Sequence, residues 1–384
     1  MTSTAIISHA LTPPQDNIAL RNDENIFRVS RRALNGVGLE RDDIDAVVNC
    51  GMDAYDGITI SSGLKVCPAG GYDKSSTRLQ NGGLYAIHQA KAMIESGKAD
   101  LILVSSEDST QFDDKAVSAI SQEPYMSQPL GWNHLHYFGV LANSYLESNA
   151  EVSESDFALT AAKNYEAATR NETAHRRTEH SAEEVLNSEY VCAPLRSLEV
   201  CQPSKGATAL VLASEEKARE LTDDPVWIEG VGAGSTPYWY REPDERARLP
   251  ALRKAREDAY AEAGIESPRD ELDFAEVHDP VSPVELMSYP ALGFCDDGEE
   301  GDLLRDGVTR HDGDFPVNAS GGTLATNLLN SDGLYKTIQS VMMLQGDEDT
   351  ASVPGAERAL VTDSDQLLGD GGHSQGVLVL RGAA

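Results

Sequence analysis

His278 and Asp279 close an apolar lead-in that runs Leu272-Asp273-Phe274-Ala275-Glu276-Val277. The residues that follow, Pro280 to Phe294, carry apolar side chains at helical spacing and include Glu285. A strand that ends in an imidazole and a carboxyl beside a helix places both in the crevice where α/β sheets bind ligands. An imidazole there can take and give a proton near neutral pH. By itself a histidine at a strand end also fits a plain structural role. The five cysteines (Cys50, Cys67, Cys192, Cys201 and Cys295) form no CxxC pair and no metal-ligand spacing, so no metal centre is expected. Scattered thiols in a reducing compartment are expected to be buried and inert. No P-loop and no GxGxxG follows a strand pattern, so neither ATP nor NAD is implied.

The elements that must position this pair recur within the chain. Residues 28–50 read as an amphipathic helix, a glycine stop at Gly38, an acidic turn Asp42-Asp43-Ile44-Asp45 and a strand Ala46-Val47-Val48. Residues 255–278 read the same way, through Gly264, Asp270-Glu271-Leu272-Asp273 and Phe274-Ala275-Glu276-Val277. A second match sets Gly83-Leu84-Tyr85 with Ile87 against Gly333-Leu334-Tyr335 with Ile338. A third sets the strand Ala209-Leu210-Val211-Leu212 against Val377-Leu378-Val379-Leu380. Three landmarks in one order predict two similar α/β halves. Between their common parts, residues 111–189 form a polar stretch with interleaved aromatics and one helix-patterned run, Asp156–Tyr165.

The chain of 384 residues holds 63 acidic and 31 basic side chains, a formal net charge of −32. That charge repels itself at ordinary ionic strength and is screened in molar salt, where the Debye length is about 3 Å. The acid is spread along the chain, which favours adaptation to a salt-rich cytosol over a local acidic tail. No basic patch suits DNA or an anionic membrane. No long apolar run and no signal segment is visible, so a soluble cytoplasmic protein is expected.

The run Glu276-Val277-His278-Asp279-Pro280, with Glu285-Leu286, Tyr289 and Leu292-Gly293, resembles the VHDCF…EL…YEALG signature of sterol-carrier-protein-type and archaeal thiolases. Asn318-Ala319-Ser320-Gly321-Gly322 matches their NPSGG element, and Pro194-Leu195-Arg196 with Gln202 to Ala209 resembles their PL…SDGAAA segment. The resemblance implies two duplicated βαβαβαββ halves stacked as five α-β-α-β-α layers, residues 1–225 and 226–384. The insertion at about 111–189 would be the loop domain that covers coenzyme A, although its composition also fits an excursion with its own small core. A homodimer is implied too, and a small OB-fold partner protein is a further expectation.

The same resemblance shows what is altered. Gln80 stands at the position of the acyl-carrying cysteine, Pro280 at that of an acid/base cysteine, and Asn327 where a catalytic histidine is usual. An amide cannot carry an acyl group but can donate a hydrogen bond, and Gln80 also fits a polar helix cap. His373, in the glycine-rich loop Gly369–Gly376, can supply a base or be a solvated loop residue; Ser75 and Ser76 are conceivable substitute nucleophiles. Ser320, Gly321 and Gly322 are expected to contact coenzyme A, which would be a substrate rather than a resident cofactor. The activity implied is acyl-CoA C-acyl transfer with a non-cysteine catalytic set, and no thiol is expected at the site. The alternatives are a CoA-thioester decarboxylase or hydrolase using Gln80, and a non-catalytic subunit that scaffolds an active partner.

Overall fold

The computed structural model describes residues 3–57, 59–108, 124–125, 128–236, 245, 247–365 and 374–383. In the first part of the chain the strands are β1 (Thr4–Gln15), β2 (Ala46–Cys50), β3 (Ser75–Leu79), β4 (Leu101–Asp108), the short hairpin β5 (Tyr190–Cys192) and β6 (Leu195–Arg196), and β7 (Lys205–Ser214). Then come β8 (Val226–Ser235), β9 (Phe274–Glu276), β10 (Arg358–Ser364) and β11 (Ser374–Arg381). The helices that matter here are α1 (Asn22–Asn35), α2 (Gly83–Glu95), α3 (His134–Ser148), α4 (Glu154–Ala168), α5 (Pro250–Ala263), α6 (Ser282–Leu292) and α7 (Asp332–Gln345).

Nine strands form one sheet in the order β3-β2-β4-β7-β1-β8-β11-β10-β9. Its two wings repeat each other. In the first, β2 pairs in parallel with β3 and β4, and β7 runs antiparallel between β4 and β1. In the second, β9 pairs in parallel with β10, and β11 runs antiparallel between β10 and β8. A single parallel bridge from Ala275 to Val317 stands where β3 stands in the first wing. The wings join through three residue pairs, Thr4 to Ile6 of β1 against Val226 to Ile228 of β8.

The layers follow from the two-residue period of strands. In β7, Leu210 and Leu212 face a core shared with α2 and α7, while Ala209, Val211 and Ala213 face α1. In β11, Leu378 and Leu380 face the same shared core, while Val377 and Val379 face α5 and α6. So α2 and α7 lie between the wings, with α1 on one outer face and α5 on the other, which gives the five layers. The two central helices start together: a methyl carbon at Gly83 would lie 2.6 Å from the backbone nitrogen of Leu334.

On the outer face of the second wing, Gly230, Gly232 and Gly234 of β8 alternate with larger residues. A methyl group on any of them would overlap the backbone carbonyl of Ala259, Ala255 or Ala251 respectively. In the stretch between the repeats, Ala158, Ala161, Tyr165 and Val185 gather in a small cluster with Leu324, and other described residues of the stretch join a core shared with the second wing. Tyr137, Phe138, Leu141 and Tyr145 of α3 and Phe157 of α4 share one with Leu286, Met287 and Tyr289 of α6. No described helix is long and apolar enough to cross a membrane.

Candidate active site

The end of β9, the end of β10 and the first turn of α7 meet at His278. The strand itself stops at Glu276, and residues 277–280 continue as irregular backbone. His278 is buried, its backbone N–H donates to Thr362 Oγ1 at 2.8 Å, and its Nδ1 lies 2.8 Å from Asp332 Oδ2. Thr323 Oγ1 donates to the same carboxylate oxygen at 3.0 Å. Burial works to raise the Asp332 carboxyl, but the charge of Lys336 and the bonds from His278 and Thr323 hold it below the usual range. With Asp332 ionised, Nδ1 is the donor, which leaves Nε2 as the ring's proton-accepting position.

Around this pair lies a buried ionic network. Asp279 accepts from Thr323 N (2.6 Å) and Asn164 Nδ2 (2.8 Å) and sits 3.5 Å from Lys336 Nζ. Burial pushes its carboxyl up to about 7, with the Lys336 charge opposing and that of Glu285 adding to the rise. Glu285 pairs with Lys163 at 2.9 Å and accepts from Asn164 and Asn318. Ser320, Gly321 and Gly322, expected to meet coenzyme A, belong to this brace. Ser320 bonds Glu276 through both its backbone N–H and its hydroxyl, and a methyl at Gly322 would press on Asp279. All three residues are buried, as His278 is.

Asn327 is held by its backbone in the loop ahead of α7, where its carbonyl accepts from Ser204 N at 2.7 Å and its Oδ1 from Leu329 N at 2.9 Å. Its Nδ2 donates to Cys201 Sγ at 3.0 Å. Cys201 N in turn donates to the carbonyl of Pro280 at 3.0 Å, beside a bridge between Val200 and Val281. Cys201, Pro280 and Asn327, with Tyr55, His134 and Leu329 among others, line a slot of about 30 Å³. That is about the size of one water. The expectation of a site without sulfur is therefore corrected. A loop remote in sequence, bridged at Val200, sets a thiol against the very segment that carries Pro280, and such a backbone contact cannot be read from cysteine spacing. Burial, reinforced by the charges of Asp279 and Asp332, pushes this thiol up, so it is a neutral S–H group.

Gln80 does not share these contacts. It is exposed, and both ends of its amide are taken by Asp53, whose backbone N–H donates to Oε1 at 2.8 Å and whose Oδ1 accepts from Nε2 at 2.9 Å. Of the expected residues, His278 lies in the segment that continues into Pro280, Asn327 meets that segment through Cys201 and the slot they share, and Gln80 is tied to Asp53. His373 lies outside the described residues. Two groups at the site were not foreseen besides Cys201. Asp332 reads in sequence as a helix-capping residue, and Asp363 reads as the end of a strand.

A family model described as thiolase C-terminal domain-like matches residues 235–381. An acetyl-CoA acetyltransferase of Methanothermobacter thermautotrophicus is 31% identical over 337 residues, which cover 85% of this chain and 86% of that protein. The chain belongs to the thiolase family. Within that family, a steroid side-chain-cleaving aldolase of Thermomonospora curvata is 27% identical over 82% of this chain and 83% of its own length. Among solved structures, the one titled Ltp2-ChsH2(DUF35) aldolase matches 99% of this chain and 98% of that chain, with a TM-score of 0.82 at 25% identity. A monomeric SCP2-thiolase-like protein from Mycobacterium smegmatis shares the fold, with a TM-score of 0.72 at 17% identity over 99% of this chain and 77% of that one. The thiolase signature blocks 276–293 and 318–322 are the same segments that pack into the buried network around His278.

Proposed function

We propose that this protein makes or breaks a carbon–carbon bond next to a CoA thioester without passing through an acyl-enzyme, as a lyase of the aldolase type. One observation carries the reading: Gln80, which the resemblance sets at the family's acyl-carrying position, has no nucleophilic atom, and Asp53 holds its amide at both ends. Retro-aldol cleavage of a 3-hydroxyacyl thioester needs no covalent carrier. Nε2 of His278 takes the proton of the 3-hydroxyl, the bond between C2 and C3 breaks, and its electron pair moves to C2 and the thioester oxygen. An amide N–H such as that of Asn327 suits the enolate oxygen. Protonation of C2 then gives the shorter acyl-CoA, and C3 leaves as a carbonyl compound. The likeness to aldolases over nearly the whole chain supports this.

The test supplies 3-hydroxy-3-phenylpropanoyl-CoA and follows benzaldehyde and acetyl-CoA, with intact-protein mass spectrometry after quenching. Both products and no acyl adduct are expected. An adduct on the protein would reverse the reading in favour of acyl transfer, the activity named for the Methanothermobacter relative. Cys201 is the one observation that favours this second reading, since it puts a thiol beside Asn327. The aldolase neighbour is titled as a pair with a DUF35 protein, so we assay the protein together with whatever co-purifies. Failure of the isolated chain and turnover by the pair would place this chain in a two-protein enzyme.

A further inference from the structure

Asp363 is a buried acid on a face that is otherwise apolar. Ala359 and Val361 of β10 point into the core around α2 and α7, and Asp363 is the next residue on that side. Its Oδ2 accepts from Leu84 N in the first turn of α2 at 3.2 Å, and its Oδ1 accepts from Ser364 N at 2.8 Å. A methyl group at Gly82 or Gly333 would overlap the carboxylate, so the starts of both central helices are shaped around it. One ring nitrogen of His278 and one carboxyl oxygen each of Asp332 and Asp363 lie within 4.8 Å of one another.

Two facts are unexplained by this packing alone. Asp332 Oδ1 is buried and has no hydrogen-bond partner among the described residues, although a buried acceptor ordinarily finds one. The charges also fail to balance. Glu276, Asp279, Glu285, Asp332 and Asp363 are all buried, against the ammonium groups of Lys163 and Lys336. Buried charge without a counter-charge is too costly to persist, so carboxyls in such a site bind protons instead.

We propose that Asp363 and Asp332 share one proton beside His278, with Asp363 as the O–H donor and the free oxygen of Asp332 as its acceptor, and that this pair sets the charge the imidazole faces. Asp363 is then a positioning residue acting through His278. That role in turnover rests on the lyase reading above, whereas the shared proton does not. Burial and the charge of Asp332 push the Asp363 carboxyl up to about 6, against the opposing effect of His278 and the two N–H donors. Among the described residues, the other titratable groups facing the pair are Lys336, Asp279 and Cys201 on the Asp332 side, Cys50 and Tyr85 on the Asp363 side, and Asp365 near His278.

The sign of the linkage follows. A carboxyl whose folded value is raised gives stability that is full below its unfolded value and is lost as pH rises through about 6. Asp363→Asn does not titrate and keeps an N–H that can donate to Asp332 as the O–H would, at the cost of one of the two backbone N–H bonds the carboxylate accepts, a cost that does not depend on pH. Melting temperatures are measured for wild type and variant at about pH 5 and about pH 8 in fixed molar salt. The difference in melting temperature, variant minus wild type, is expected to rise by roughly 2 °C from the lower pH to the higher. Parallel pH dependence of the two proteins would overturn the proposal. Asp363→Ser, smaller and equally unable to titrate, serves if the asparagine variant fails to fold, with the same two outcomes. In turnover, the variant should lose the inflection near pH 6 while KM stays within about twofold. Absence of turnover in wild type would count against the lyase reading and leave the melting comparison intact.

Discussion

Replacing His278 with alanine should lower turnover of a CoA substrate by roughly 10²–10⁴-fold, the usual worth of a positioned acid–base group. The ring's orientation matters as much as its presence. Asp332 fixes the ring through Nδ1 and Thr362 fixes the backbone, so the free nitrogen has one direction. His278→Gln keeps a hydrogen-bond donor without the base and should recover little. Loss of rate with nearly unchanged KM is expected from steady-state kinetics. Equal kinetics in His278→Ala and wild type would remove the residue from the chemistry.

Replacing Lys336 with methionine should destabilise the fold by about 3–5 kcal/mol at pH 8, since the change leaves buried carboxylates without their counter-charge. Methionine keeps most of the volume, so the loss reports charge rather than a cavity. Lys336 is fully buried, 2.8 Å from the carbonyl of Val277 and 3.5 Å from Asp279. Its own ammonium loses hydration on burial, but the charges of Asp332, Asp279 and Glu276 outweigh this and raise it. The loss should shrink at about pH 5. Asp279, raised to about 7 in the fold, is protonated there and no longer needs the lysine. Denaturant unfolding at the two pH values checks both points, and a loss that did not depend on pH would contradict them.

Much of the architecture could be read from the residues because duplication writes it twice. The paired runs at Gly83-Leu84-Tyr85 and Gly333-Leu334-Tyr335 become the starts of α2 and α7, which touch at the centre of the molecule. The closing strands 209–212 and 377–380 become β7 and β11, at matching places in the two wings. His278 was legible because a strand, an imidazole and a helix follow one another directly. Cys201 and Asp363 were not, since each reaches the site through a partner far away in the chain. Cys201 depends on the bond from its N–H to Pro280, and Asp363 on the gap left by Gly82 and Gly333. Asp363 did leave a trace, as an acid at the inward position of an apolar strand.

The three glycines of β8 have a mechanical corollary. Two residues of strand advance about 6.6 Å and four residues of helix about 6.0 Å, so the repeats nearly keep step over three contacts. Gly230, Gly232 and Gly234 meet Ala259, Ala255 and Ala251 in that cadence. Val231 and Ala233, between them, turn to the opposite face, where Val231 packs against the shared core. The outer helix therefore rests on three bare strand positions, and a side chain at any one of them would lift it off the sheet.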